Sequence, residues 1–273
     1  MRRLLCSGKR PIFCCVLAAL LLIGCGGGGD GATAFTLKID ANPNAGGTVS
    51  PSGDIKYSAG TKAEVTATAA DGYRFIGWSG ASTDKAKSIT VAMSSDQALT
   101  ANFEKAQVIT DSRDGKKYRT VKIGKLTWMA QNLNFGTVNR WCYDNNTSNC
   151  AKYGRLYTWN AAMNACPSGW RLPALEDWNE LVEAAGGNVA GTKLKASSPD
   201  WNGTDEFGFS ALPGGYRNTY GSFGGVGSYG GWWSAAEDDG GNAWLRDMSS
   251  NYDGVTQRSY GKNRGFSVVC VQN

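Results

Sequence analysis

Between residues 34 and 105 hydrophobic and polar positions alternate. Phe35, Leu37 and Ile39 fall on one side of an extended chain, as do Val65, Ala67 and Ala69, and Ile89, Val91 and Met93. Turn formers separate these runs: Asn42-Pro43-Asn44, Gly46-Gly47, Ser52-Gly53-Asp54 and Asp71-Gly72. A period of two broken by such clusters predicts a small antiparallel β domain of short strands. From residue 107 the pattern changes. Thr120–Ile123 and Leu126–Met129 predict a hairpin about Gly124-Lys125. Tyr157 with Ala161 and Ala162 or Ala165 predicts a helix over 157–165. Leu175, Trp178, Leu181 and Val182 predict a second helix over 175–185, with Glu176 and Asp177 in the first turn and Gly186-Gly187 ending it. Residues 203–231 hold ten glycines in 29 positions among Phe, Tyr and Trp, and predict long irregular loops. Gly265–Val271 predicts a buried closing strand. The expected fold class is α+β, a small antiparallel β domain (34–105) followed by a mixed domain (107–273).

The N-terminus has its own pattern. Arg2, Arg3, Lys9 and Arg10 precede an apolar run from Ile12 to Ile23. That run has the length of a signal-peptide core and falls short of the ~20 residues that span a bilayer. Leu22-Ile23-Gly24-Cys25 resembles the lipobox of bacterial lipoproteins. The resemblance implies a cleaved signal at 1–24, a lipid on Cys25 and an anchored protein. Gly26, where an Asp would imply inner-membrane retention, implies an outer-membrane address on its surface or periplasmic side. Residues 25–33, with Gly26-Gly27-Gly28-Gly29-Asp30-Gly31, predict a flexible tether.

Four cysteines follow the leader: Cys142, Cys150, Cys166 and Cys270. An exported chain meets an oxidising compartment, so an even count predicts two disulfides. Cys142 and Cys150 flank a short polar stretch, Asp144–Asn149, that predicts a turn, and they are paired as a local clip. Cys166 and Cys270 then form a long staple. No CxxC spacing supports a thiolate metal site or a redox pair.

Residues 34–105 resemble the divergent InlB B-repeat family. The strings are Asn44-Ala45-Gly46-Gly47-Thr48-Val49-Ser50-Pro51, Tyr57-Ser58-Ala59-Gly60-Thr61, Asp71–Gly80 and Leu99-Thr100-Ala101-Asn102-Phe103. Such repeats imply an extracellular spacer or adhesion module. Trp78 is assigned to core packing. Residues 107–273 resemble the Fibrobacter succinogenes major paralogous domain, through Trp128–Asn134, Trp141-Cys142-Tyr143, Tyr153–Trp159, Ala165–Pro173, Gly208–Arg217, Trp232-Trp233-Ser234 and Gly265–Cys270. Arg171 stands where relatives often have His. Ala174 replaces the expected Ser or Thr cap and should weaken the helix start by about 1 kcal/mol. More distantly the pattern resembles the C-type lectin and sulfatase-modifying folds. That implies a disulfide-stapled C-type-lectin-like domain with long Gly-rich loops, and it supports Cys166 with Cys270.

Charge and chemistry narrow the function. The formal charge of +5 shrinks to +1 once residues 1–24 are removed, which gives no support for nucleic-acid binding. The chain has no histidine, so it holds no Ser-His-Asp or Cys-His pair and no imidazole metal ligand. The calcium motifs of sugar-binding lectins are missing. Glu237, Asp238 and Asp239 are weak metal candidates that leave calcium possible without a lectin motif to support it, and no other cofactor is expected. Candidate ligand-binding residues are Trp201, Asn202, Tyr216, Arg217, Tyr220, Phe223, Tyr229, Trp232, Trp244 and Arg246, with Tyr252 beside them. Their rings suit the apolar faces of sugars, and the arginines suit hydroxyls. Trp128, Trp159, Trp170, Trp178 and Trp233 are assigned to the core. The expected function is a non-enzymatic, membrane-anchored envelope binding or adhesion protein that takes glycan or a surface protein. The alternatives are a display protein without a fixed ligand and, last, a sulfatase-modifying type of enzyme.

Overall fold

The structure, a computed structural model, describes residues 33–273. The expected signal peptide at 1–24, the lipidation candidate Cys25 and the expected tether through residue 32 lie outside the described residues. The first domain has seven strands: β1 (Ala34–Asn42), β2 (Gly47–Ser50), β3 (Gly53–Ser58), β4 (Lys62–Ala69), β5 (Tyr73–Gly80), β6 (Ser88–Ala92) and β7 (Gln97–Lys105). They form two sheets in the orders β3-β1-β7-β5 and β2-β4-β6. All neighbours are antiparallel except β1 and β7. The alternating faces read from the sequence meet between the sheets. Leu37, Ile39, Val65, Ala67, Val91 and Met93 are buried there, and Phe35, Ala69 and Ile89 pack at the margin. Trp78 belongs to this core and donates from Nε1 to the Ala86 carbonyl at 2.9 Å. The paired glycines have a steric reason. A Cβ on Gly47 would lie 2.4 Å from the Thr68 carbonyl and 2.6 Å from the Phe103 ring.

The second domain has strands β8 (Gln107–Thr110), β9 (Lys117–Ile123), β10 (Leu126–Met129), β11 (Arg140–Trp141), β12 (Leu156–Tyr157), β13 (Trp170–Arg171), β14 (Gly214–Arg217), β15 (Phe223–Val226), β16 (Tyr229–Glu237), β17 (Asn242–Ser249), β18 (Thr256–Gly261) and β19 (Val271–Gln272). Its helices are α1 (Thr147–Tyr153), α2 (Trp159–Ala162), α3 (Leu175–Ala184) and α4 (Ala190–Leu194). It has two five-stranded sheets, β13-β19-β10-β9-β8 and β15-β14-β16-β17-β18, and a separate two-stranded sheet, β11-β12. The buried segment 265–271 runs between two cores. Val269 and Val271 enter one core with Trp128, Trp178 and Trp232, while Phe266, Val268 and Cys270 enter the other with Tyr157 and Trp233. Trp128, Trp178 and Trp233 are fully enclosed, Trp159 nearly so, and Trp170 is half-buried against the second core. Both disulfides form as paired, Cys142 with Cys150 and Cys166 with Cys270.

Three expectations are corrected. The class is mostly β, with 46% strand against 15% helix, so α+β and a C-type-lectin-like fold do not hold. The physical reason lies in the glycine-rich stretch, which pairs into β14, β15 and the start of β16 in place of long loops. Its glycines admit aromatic rings against the backbone. A Cβ on Gly230 would lie 2.5 Å from the Trp232 ring, and one on Gly231 would lie 2.8 Å from Phe266. The helix expected over 157–165 is a strand end followed by the single turn α2, because Tyr157 exchanges backbone hydrogen bonds with Phe266 and Thr158 caps the turn. The stretch between Cys142 and Cys150 is more than a turn, since Asn146 accepts from Ser148 N and starts α1. Helix α3 and the β9–β10 hairpin stand as expected. The uncapped Ala174 is compensated. Asp177 accepts its backbone N–H at 2.7 Å and pairs with both guanidinium nitrogens of Arg171.

Candidate functional site

The aromatic residues of the second domain divide between core and surface. A ladder of short extended segments builds the surface set. Trp141 pairs with Leu156, Tyr157 bridges Phe266, and Gly265 exchanges two backbone hydrogen bonds with Arg217 at 2.9 and 2.8 Å. Gly265 keeps the floor low. A Cβ there would lie 3.1 Å from Arg217 Cβ, 3.3 Å from Leu156 Cβ and 3.4 Å from the Trp141 ring. Trp141 and Arg217 close over it, with the guanidinium carbon 4.0 Å from the ring centroid. This is a cation–π contact that fixes both side chains. Among the described residues Arg217 has no carboxylate partner, and its Nε has no hydrogen-bond partner.

A second aromatic pair adjoins the first. Tyr143 and Phe223 have ring centroids 5.3 Å apart. Tyr143 lies against the β14–β15 hairpin, where a Cβ on Gly215 would meet its ring at 2.8 Å. At the hairpin end Asn218 Oδ1 accepts from Tyr220 N and Ser222 N at 3.0 Å each, which shapes the turn. Tyr220 stands at that turn with 96% of its surface exposed. Cys142 lies between Trp141 and Tyr143 in sequence, and its disulfide to Cys150 clamps their segment to α1. Asn139, Asp144 and Asn145 all take positive φ, near 52–54°, a region that Asn and Asp enter more readily than most residues. Tyr216 is half-buried behind the face, packed on Tyr229 and Phe266. Rings for stacking and a guanidinium without a carboxylate partner, whose Nη1 donates to the Asn218 carbonyl at 3.5 Å, thus share one surface.

The remaining candidates lie elsewhere. Trp201 and Trp232 are core residues, 1% and 0% exposed, so neither is a ligand platform. Trp201 donates to the Ala211 carbonyl and Trp232 to Asn132 Oδ1. Asn202 binds Asp253 at 3.1 Å, away from the aromatic face, and Tyr252 is exposed. Tyr229 is half-buried, and burial together with the neighbouring Asp247 carboxylate pushes its phenol pKa up. Trp244 is half-buried on β17 and belongs to neither core. Arg246 is buried, donates to Asn179 Oδ1, and has its pKa lowered by that burial.

The acidic triplet does not converge. Glu237 pairs with Lys262, and Asp238 accepts from Ser259 Oγ at 2.6 Å. Asp239 accepts from Asn242 Nδ2 and from the backbone of Gly241 and Asn242, closing the β16–β17 turn, and these bonds hold its carboxyl below the usual range. Among the described residues no group of three acidic or cysteine side chains is placed to hold a metal.

Sequence reasoning missed Trp141 as a half-exposed residue and Tyr143 as the buried ring that supports the face from behind. The available signal was their position on either side of a disulfide cysteine. It also missed Lys195, which is fully buried. Its Nζ donates to the Ser249 and Tyr252 carbonyls and lies 5.3 Å from the Trp201 ring.

Comparison with known families gives two matches. The profile of the Fibrobacter succinogenes major domain matches residues 121–272, and that of the divergent InlB B-repeat domain matches residues 37–107. No curated protein and no solved structure matches the chain at a significant level.

Proposed function

The chain belongs to the Fibrobacter succinogenes major domain family, whose profile covers more than half of it, and on that premise we propose a lipid-anchored envelope protein that binds glycan through its second domain. The observation that carries the reading is the Arg217 guanidinium stacked on Trp141, beside Phe223 and the exposed Tyr220. A sugar ring has one apolar face and a rim of hydroxyls, which suits a surface of rings and a guanidinium without a carboxylate partner. The InlB B-repeat domain serves as a spacer that holds this face away from the membrane.

Anchoring belongs to the same proposal. Cys25 carries the lipid, and the protein resides in the outer membrane. Among the described residues no helix is long and apolar enough to cross a membrane. A binding role in place of catalysis is supported by two facts. The sequence has no histidine, and all four body cysteines are oxidised in pairs.

The test is an array of polysaccharides and envelope proteins probed with the full chain. Retention on a glycan that falls at least about tenfold in Trp141→Ala and Arg217→Ala supports the reading. Retention on no glycan, or equal retention of the variants, overturns it. Retention on envelope proteins alone assigns the face to a protein partner. For the anchor, Cys25→Ser should abolish incorporation of labelled fatty acid and release the chain from membranes.

A further inference from the structure

The net charge of +1 on residues 25–273 hides an uneven distribution. Between the two domains lies a cleft of about 850 Å³. One wall comes from β4 and the turn into β5, with Thr66, Thr68 and Tyr73. The other comes from β9 and α1, with Lys117, Arg119 and Lys152. Five cationic side chains line the cleft against two carboxylates, Asp71 and Asp205. Lys87 is paired with Asp205 and Lys116 with Asp114. Lys117, Arg119 and Lys152 have no carboxylate partner among the described residues, which leaves an excess of positive charge in one concave place.

We propose that this interdomain cleft binds an acidic oligosaccharide, one that carries carboxylates on its sugar rings. Its volume lies within the range of small-ligand sites, which occur preferentially at domain interfaces. A cleft lined by one sign of charge concentrates ligands of the other sign. The Arg119 guanidinium offers a planar fork for a carboxylate, while Lys117 and Lys152 act as point charges. Thr66, Thr68 and Gln131 offer hydroxyl and amide groups to sugar hydroxyls. Apart from Leu212 the aliphatic lining is alanine, so the cleft has no deep apolar pocket for a peptide anchor. The two candidate sites are linked by one covalent element. Helix α1 carries Lys152 into the cleft, and its Cys150 is bonded to Cys142, the neighbour of Trp141.

The site needs both domains, and this gives the InlB B-repeat domain a role beyond spacing. It does not rest on the aromatic face, and its test is separate. Isothermal titration of the full chain with a short oligogalacturonate should show binding that weakens with added salt, because Lys117 and Lys152 are exposed and Arg119 partly so. A neutral oligosaccharide of equal length should bind at least about tenfold more weakly. The double variant Lys117→Gln/Arg119→Gln should lose about tenfold or more, and Lys152→Gln a smaller factor, with melting temperatures unchanged. The proposal is overturned if oligogalacturonate does not bind, or if the double variant binds it undiminished. Equal binding of the neutral oligosaccharide also overturns it. So does equal binding of a polyglutamate peptide or inorganic phosphate, which would mark a merely cationic surface.

Discussion

Lys87 Nζ lies 2.8 Å from Asp205 Oδ2, and this contact ties the two domains together at one edge of the cleft. Asp205 is almost fully buried and also accepts from Ser210 N and Ser210 Oγ, both at 2.7 Å, while Lys87 is about a quarter exposed. Removing the cation leaves a buried carboxylate with neutral donors alone. Lys87→Met should therefore cost about 1–2 kcal/mol, below the loss for a fully buried pair because one partner reaches solvent. Adding Asp205→Asn should recover part of that loss by removing the stranded charge. Urea unfolding of the four proteins in the cycle measures the coupling. Simple additivity would show that the pair couples nothing.

The two disulfides should differ in weight. The Cys166–Cys270 bond closes 104 residues of separation and the Cys142–Cys150 bond only 8. Chain entropy assigns the long closure about 4.7 kcal/mol and the short one about 2.6 kcal/mol. Serine replacement of the long pair should lower the melting temperature more. Serine replacement of the short pair should instead impair glycan retention, because it frees the segment that carries Trp141 and Tyr143. The measurements are calorimetry and array binding on both variants.

Gly215→Ala should disrupt the aromatic face from below. Gly215 has φ of 68°, and its missing Cβ would lie 2.5 Å from the Gly224 carbonyl and 2.8 Å from the Tyr143 ring. Backbone strain and overpacking together should cost about 2–4 kcal/mol. Gly227→Ala has positive φ as well, but its Cβ would meet nothing within 4 Å. It should cost only the conformational strain, about 1 kcal/mol. Equal losses in the two variants would refute the packing argument.

Titration should destabilise the fold at both ends of the pH scale. Burial pushes the Tyr118 phenol up to about 12, against a donated hydrogen bond from Asn134 N that works to lower it. Its unfolded value is about 10. Between these values the native state holds a proton that the unfolded chain has lost, so stability falls as pH rises from about 10 to about 12. Tyr118→Phe should flatten that fall. Burial works to raise the Asp177 carboxyl, but Arg171 and the Ala174 N–H hold it below the usual value. Its contribution is present above the unfolded carboxylate value of about 4 and is lost as pH falls through the lower native value. Denaturant midpoints of Asp177→Asn across the acid range should show a shallower decline than those of the parent.

The local patterns were legible wherever neighbours in sequence set the outcome. Alternation placed Leu37, Ile39 and Val65 in a β core, and helical spacing placed Trp178 and Leu181 on the inner side of α3. Cysteine parity and spacing led to both disulfides. The missing histidines excluded whole classes of chemistry at once. Glycine carries no side-chain periodicity, and for that reason the pattern over 214–217 and 223–226 predicts loop where the fold forms strands. The same blindness hid the division of the aromatics. Trp201 and Trp232 fill the core while Trp141 reaches the surface, because the pairings that separate them join residues more than a hundred positions apart, as Tyr157 joins Phe266. Charge behaves likewise. Composition reports a nearly neutral body, since a sum over residues has no positions in it. The fold of two domains about one cleft brings Lys117, Arg119 and Lys152 together, and that geometry turns a balanced composition into a local field.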